Sequence, residues 1–192
     1  MRWSAGSGLF HCQKKNVVKT DVLNECYYKG MNILATIGQL DPAIQYTDRP
    51  TVKVVIKKDN KLLILNKGLL PGGGIDPGES DHDAITRELQ EELGVTVKEV
   101  QEIGTVVQYR NLLDKKYLIN GYTAELETTG GLTDPQDEGE AQFTVQGLTL
   151  DEAIAYVSES IDEAKLKPMD DDANQGKLYN LMTTYEFLKA LG

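Results

Sequence analysis

GGIDPGESDHDAITRELQEELGV, residues 73–95, decides the reading of this chain. Its glycines and the Asp76-Pro77-Gly78 run are chain breakers. Ser80, with Asp83 three residues on, is spaced as an N-cap with an acidic capping partner. The spacing predicts a helix opening near Asp81 and ending around Leu93, with Gly94 as its C-terminal stop. At about 100° per residue, Ile85, Leu89 and Leu93 make one apolar stripe. Glu88 and Glu92 are four apart and Glu91 is three from Glu88, so three carboxylates cluster beside the stripe. Ala84, one turn before Glu88, leaves space next to them.

Like charges at these spacings destabilise a helix by a few tenths of a kcal/mol per pair. They also sit in its C-terminal half, where the dipole disfavours anions. A solvated acidic face tolerates that cost. A hard cation explains it differently: magnesium prefers carboxylate oxygens, keeps several waters and bridges protein to substrate phosphate. The glycines Gly72, Gly73 and Gly74 favour the second explanation, because a Gly-rich turn lets backbone approach a ligand closely. A tight turn alone leaves the acidic helix unexplained.

Outward from this stretch, Val52, Val54 and Ile56 alternate with Lys53, Val55 and Lys57, as in a half-buried strand. Asp59-Asn60 is turn chemistry, and Leu62–Leu65 reads as a buried returning strand. Further strands are expected at Gly104–Gln108 and Tyr117–Leu126, a loop at 130–139, and a short strand at Phe143–Val145. Thr149 or Asp151 caps a helix carrying Ala153, Ile154 and Val157, and a last helix covers about Gln175–Leu191 after the acidic linker Asp170–Asp172. Residues 1–46 form an N-terminal extension of mixed pattern, with a strand signal near Asn16–Val22 and an apolar stretch at Met31–Leu40; Met31 offers an alternative translation start. The order of elements implies an α/β (α+β) sandwich, a mixed sheet between helices, over residues 47–192.

Composition narrows the setting. The 192 residues suffice for one domain with a sizeable core. No run of about 18 apolar residues and no basic-then-apolar leader is present, which points to the cytoplasm and away from membranes. Cys12 and Cys26 make no disulfide framework, and with His11 they supply too few ligands for a closed zinc site, so free thiols are expected. A net charge of -10 repels a nucleic-acid duplex, while a small polyphosphate is compatible if metal ions neutralise it locally.

In one register the sequence resembles the Nudix hydrolases, whose pattern is G, five residues, E, seven residues, R-E-hydrophobic-x-E-E-x-G-hydrophobic. Gly73, Glu79, Arg87, Glu88, Leu89, Glu91, Glu92, Gly94 and Val95 fill every defined position. The resemblance implies the Nudix α/β/α sandwich, with the motif as loop-helix-loop. It implies that Glu88, Glu91, Glu92 and the Gly73 carbonyl bind magnesium or manganese, that Arg87 orients the glutamates, and that Glu79 supports them. It further implies metal-assisted attack of water on a diphosphate, with a carboxylate as base: a motif glutamate, or Glu138 or Glu140 on a later acidic loop.

The substrate implied is a nucleotide: an ADP-sugar, a nucleoside triphosphate or a dinucleoside polyphosphate, in that order. The array associated with NADH cleavage is absent. The proline associated with ADP-ribose hydrolases is replaced by Gln108-Tyr109-Arg110-Asn111. Arg110 could pair with a phosphate, and Tyr109 or Tyr122 could stack on a base; a core tyrosine and a surface arginine are the plainer roles for each of them. His82 is expected to be exposed. The N-terminal segment favours nucleotide sugars and a homodimer, since relatives acting on them often carry such strands. A Nudix-fold nucleotide sensor without turnover is the alternative, and the intact glutamate set weighs against it.

Overall fold

Val52, Val54 and Ile56 are fully buried in β2 (Thr47–Lys58), and so is Val55 on the opposite face. A strand apolar on both sides must be covered on both sides. The computed structural model, which describes residues 30–129 and 145–192, supplies the covers. Asp59 and Asn60, both at positive φ, turn β2 back into β3 (Lys61–Leu65) through a two-residue hairpin.

β1 (Ile33–Ile37), β4 (Val95–Arg110), β5 (Lys115–Thr129) and β6 (Val145–Leu148) complete a six-stranded sheet in the order β1-β4-β5-β2-β3-β6. The sheet is mixed: β1 runs parallel to β4 and β2 parallel to β5, and the other pairs are antiparallel. One face packs α1 (Asp81–Leu93) through Ala84, Ile85, Leu89 and Leu93 on Val52, Val54 and Ile56. The other packs α2 (Leu150–Lys165) and α3 (Asp172–Lys189) on Val55, Ile64, Val106 and Ile119. This is the expected helix–mixed sheet–helix sandwich.

Several boundaries differ from expectation. β4 and β5 are much longer than the sequence suggests, because bulges around Lys98–Gln101 and Glu99 at φ 54° interrupt the alternation without ending the pairing. α3 starts earlier than expected, where the Asp171 side chain accepts from the Asn174 amide. Residues 33–37, inside the segment given no structure, form an edge strand whose partner lies some seventy residues on. The strand signal at Asn16–Val22, the two cysteines, the 130–139 loop, Phe143, Glu138 and Glu140 lie outside the described residues. Among the described residues, no helix is long and apolar enough to cross a membrane.

Candidate active site

The acidic helix is held at both ends. The Ser80 hydroxyl accepts from the Asp83 amide at 3.2 Å while the Asp83 carboxylate accepts from the Ser80 amide and hydroxyl, and Gly94 closes the C-terminus at φ 62°. With its apolar stripe on the sheet, the helix carries Arg87, Glu88, Glu91 and Glu92 to the rim, beside the loop joining β3 to α1.

That loop is laid onto the sheet. β3 pairs with the C-terminal end of β2, and the loop takes over the same edge further back. Val52 N–H donates to the Gly73 carbonyl at 2.9 Å, Val54 N–H to Pro71 at 3.0 Å, and Ile75 N–H to Pro50 at 3.1 Å. Gly72 sits at φ 116°, a backbone state L side chains rarely adopt, and a Cβ there would run into the Val52 carbonyl. Gly73 needs its bare Cα for another reason: a Cβ would lie 2.5 Å from the Glu88 carboxylate.

The carboxylates are shared among defined donors. Arg87 forks onto both oxygens of Glu79, at 2.9 Å each, and reaches the Gly74 carbonyl at 2.9 Å. Its remaining nitrogen meets Glu88 at 2.7 Å and Glu91 at 3.3 Å. Arg87, with the Asp76 amide as a second donor, holds Glu79 below the usual carboxylate range; the hydrogen bonds to Glu79 and Glu88 raise Arg87 further. Glu92 accepts the Gly72 N–H at 2.8 Å.

Thus Glu88 and Glu92 border two consecutive glycines, while Glu91 turns to Arg87 and is 55% exposed. Among the described residues, no three His, Cys, Asp or Glu side chains gather closely enough to hold an ion by themselves. The Gly73 carbonyl turns into the sheet, so the loop carbonyl on the cavity side is that of Gly72.

Lys53 was not singled out from the sequence, although a lysine inside the apolar run VKVVI was its signal. Its ammonium donates to the Leu70 carbonyl at 3.0 Å and to the Gly72 carbonyl. Burial lowers its pKa, and Glu92 and Glu88 pull it back up. Carbonyl and carboxylate oxygen is the donor set magnesium prefers, so the residues present fit a divalent ion.

Beside the glycine loop, on the face packed by α2 and α3, lies a cavity of about 380 Å³, within the range of small-molecule sites. Arg49, Lys53, Arg110 and Lys115 line it, with Glu92 and the Gly72–Gly74 backbone at one end. Arg110 is 7% exposed, pairs with Asp172 at 3.0 Å and stacks over Tyr117. Tyr109 lies off the cavity, packed edge-on against Tyr46 with ring centroids 5.2 Å apart. Tyr122 belongs to the α1 face and donates its hydroxyl to Asp81 at 2.7 Å; His82 is exposed beside it.

Several known proteins are similar to parts of this chain. "RNA pyrophosphohydrolase" of Ruthia magnifica subsp. Calyptogena magnifica is 43% identical over 58 residues, 27% of this chain and 32% of that protein. The chain's match therefore spans about a third of that relative's length. Among solved structures, a NUDIX hydrolase from Nitrosomonas europaea is similar at 22% identity, over 71% of this chain and 95% of its own, with a TM-score of 0.48. A MutT NUDIX hydrolase from Burkholderia pseudomallei is similar at 17% identity, over 70% and 98%, with a TM-score of 0.45. The model of the NUDIX domain matches residues 47–171, well over half the chain and including the whole glycine loop and acidic helix, and the chain belongs to that family.

Proposed function

We propose that this protein is a pyrophosphohydrolase that uses water to cleave the diphosphate linkage of a nucleoside diphosphate joined to another moiety. An ADP-sugar, a nucleoside triphosphate and a dinucleoside polyphosphate are the substrates considered. The observation that carries this reading is the meeting of two carboxylates with two bare backbone units: Glu92 on the Gly72 amide and Glu88 against Gly73. A phosphoryl group approaches such a backbone without meeting a side chain. The name of the Ruthia relative is consistent with this chemistry.

Glu88, Glu92 and the Gly72 carbonyl are the first candidates to hold magnesium or manganese, with Glu91 joining them if it leaves Arg87. The ion, when bound, lowers the pKa of water and neutralises phosphoryl charge. Arg87 keeps Glu88 pointed at the loop, and Glu79 keeps Arg87 in place. A carboxylate takes the proton from water: Glu88 or Glu91 on the helix, or Glu138 or Glu140 beyond β5. Glutamine at Glu138 or Glu140 lowers the rate by about a hundredfold or more if one of them is the base; near-normal rates in both variants return that role to the helix. The setting proposed is a cytoplasmic homodimer aided by the N-terminal segment. An unchanged mass and Michaelis constant after deletion of residues 1–30 would count against that part.

The decisive experiment is a panel of nucleotides incubated with purified protein and magnesium, with product analysis showing which diphosphate is split. Turnover that stops on chelation and returns with magnesium or manganese supports the mechanism. Full turnover in excess chelator would sink it.

A further inference from the structure

The cavity beside the glycine loop is charged in a way that two carboxylates and an ion do not require. Four of its lining residues are cations, in a chain of net charge -10. Two of them already have counter-charges: Lys53 lies near Glu92 and Glu88, and Arg110 pairs with Asp172. Among the described residues, neither Arg49 nor Lys115 forms a salt bridge with a carboxylate. Placing uncompensated like charges on adjacent strands is unfavourable unless an anion comes to them.

The sheet register fixes where they stand. Thr47 of β2 is opposite Lys115 of β5, and Lys115 is opposite Arg110 of β4, while Arg49 is opposite Tyr117. Arg49 and Lys115 are therefore diagonal neighbours on one face. Strands about 4.8 Å apart with a rise of about 3.3 Å per residue put such positions roughly 8 Å from each other.

Arg49 also folds back over the loop, where a Cβ on Gly74 would lie 2.9 Å from its guanidinium. Two successive glycines thus link the two kinds of charge. A Cβ on Gly73 would meet the Glu88 carboxylate and one on Gly74 the Arg49 guanidinium, with neighbouring Cα atoms about 3.8 Å apart. An anionic chain following this backbone leaves the carboxylates at one end and meets the guanidinium, then the ammonium of Lys115, at the other. Arg offers a fork to phosphate oxygens and Lys a point charge.

We propose that Arg49 and Lys115 bind a phosphate beyond the diphosphate that is cleaved. The preferred substrates are then nucleotides with three or more consecutive phosphates rather than nucleoside diphosphates joined to a neutral sugar. The inference rests on the pyrophosphohydrolase reading for where the bond is split, and it reorders the substrates expected from sequence, where an ADP-sugar came first.

Two measurements test it separately from that reading. Calorimetric titration with inorganic tripolyphosphate, in chelator and at low ionic strength, reads the anion site without any turnover. Saturable binding is expected, weakened at least tenfold by Arg49→Gln or Lys115→Gln and unchanged by Lys58→Gln, an exposed lysine at the β2–β3 turn. With magnesium, the Arg49→Gln/Lys115→Gln double variant should lose at least tenfold more kcat/KM on a nucleoside triphosphate than on ADP-ribose. Arg49 is exposed and Lys115 half-exposed, so both variants should keep the wild-type melting temperature. Absence of saturable tripolyphosphate binding, or equal loss on both substrates, overturns the proposal. Binding that depends on both residues, in a protein that hydrolyses no nucleotide, keeps the anion site and overturns the pyrophosphohydrolase reading.

Discussion

The two faces of the sheet are built by different means. On the α1 face, a capped thirteen-residue helix lays Ala84, Ile85, Leu89 and Leu93 on β2, and its neighbours on the rim are charged. On the other face, α2 and α3 bring Val157, Leu181, Phe187 and Leu188 onto strands that are distant in sequence. The α1 side concentrates chemistry in one short segment. The α2–α3 side shapes a cavity from pieces of six elements and the glycine loop, and the cavity takes its polarity from strand register. A substitution among the rim carboxylates should change turnover before stability, and one among the buried apolar residues under α2 and α3 stability before turnover.

The largest expected effect is on the packed face. Phe187 is fully buried, and its ring lies where a Cβ on Gly121 would be. Phe187→Ala should cost about 3–5 kcal/mol of stability, read as a shifted denaturant midpoint. A loss below about 1 kcal/mol would mean that the α3 packing is not as described. Next comes Glu92→Gln, which removes the charge of a proposed ligand and little volume. Supporting residues of metal sites cost about 10–100-fold, so a ligand should cost at least about a hundredfold in turnover, with the melting temperature held. Normal turnover would remove Glu92 from the site.

Two smaller effects probe the α1 face alone. Ser80→Ala should cost about 1 kcal/mol through the lost cap, measurable by chemical denaturation. Glu79, held below its ordinary pKa of 4.5 by Arg87, stabilises the fold fully above that pH. This contribution is lost as pH falls through the depressed folded value. Glu79→Gln should therefore flatten the acid limb of the stability profile and leave neutral pH less stable. An unchanged acid limb would show that the Glu79–Arg87 fork contributes nothing to folding.

The same division explains what sequence conveys. The α1 boundaries, the Ser80–Asp83 cap, the Gly94 stop and the Asp59-Asn60 turn are local chemistry, and each stands where the residues imply. So is the nearness of Glu88 and Glu92 to the glycines. Lys53 could have been suspected from its apolar neighbours, but its carbonyl partners could not. Arg49 and Lys115 acquire meaning only through the parallel register of β2 and β5, which no short pattern encodes. Tyr109 is a different case: beside an arginine it could serve as a base platform, but the plainer core role is the one seen, since alternation along β4 packs it against Tyr46. β1 was illegible because a five-residue parallel edge strand carries almost no local signal.

The loop that serves as a continuation of β2's partner strand has a kinetic consequence. Amides locked in a sheet exchange with solvent only when that part of the fold opens, whereas a hanging loop exchanges freely. Val52 and Val54 donate to the loop's own carbonyls, so their deuterium uptake times the opening of the glycine backbone itself. Both should be protected about as strongly as Ile56 in the β2–β3 ladder, and all three should slow together when a nucleotide binds. Rapid uptake at Val52 and Val54 beside a slow Ile56 would mean that the glycine loop detaches from the sheet on its own.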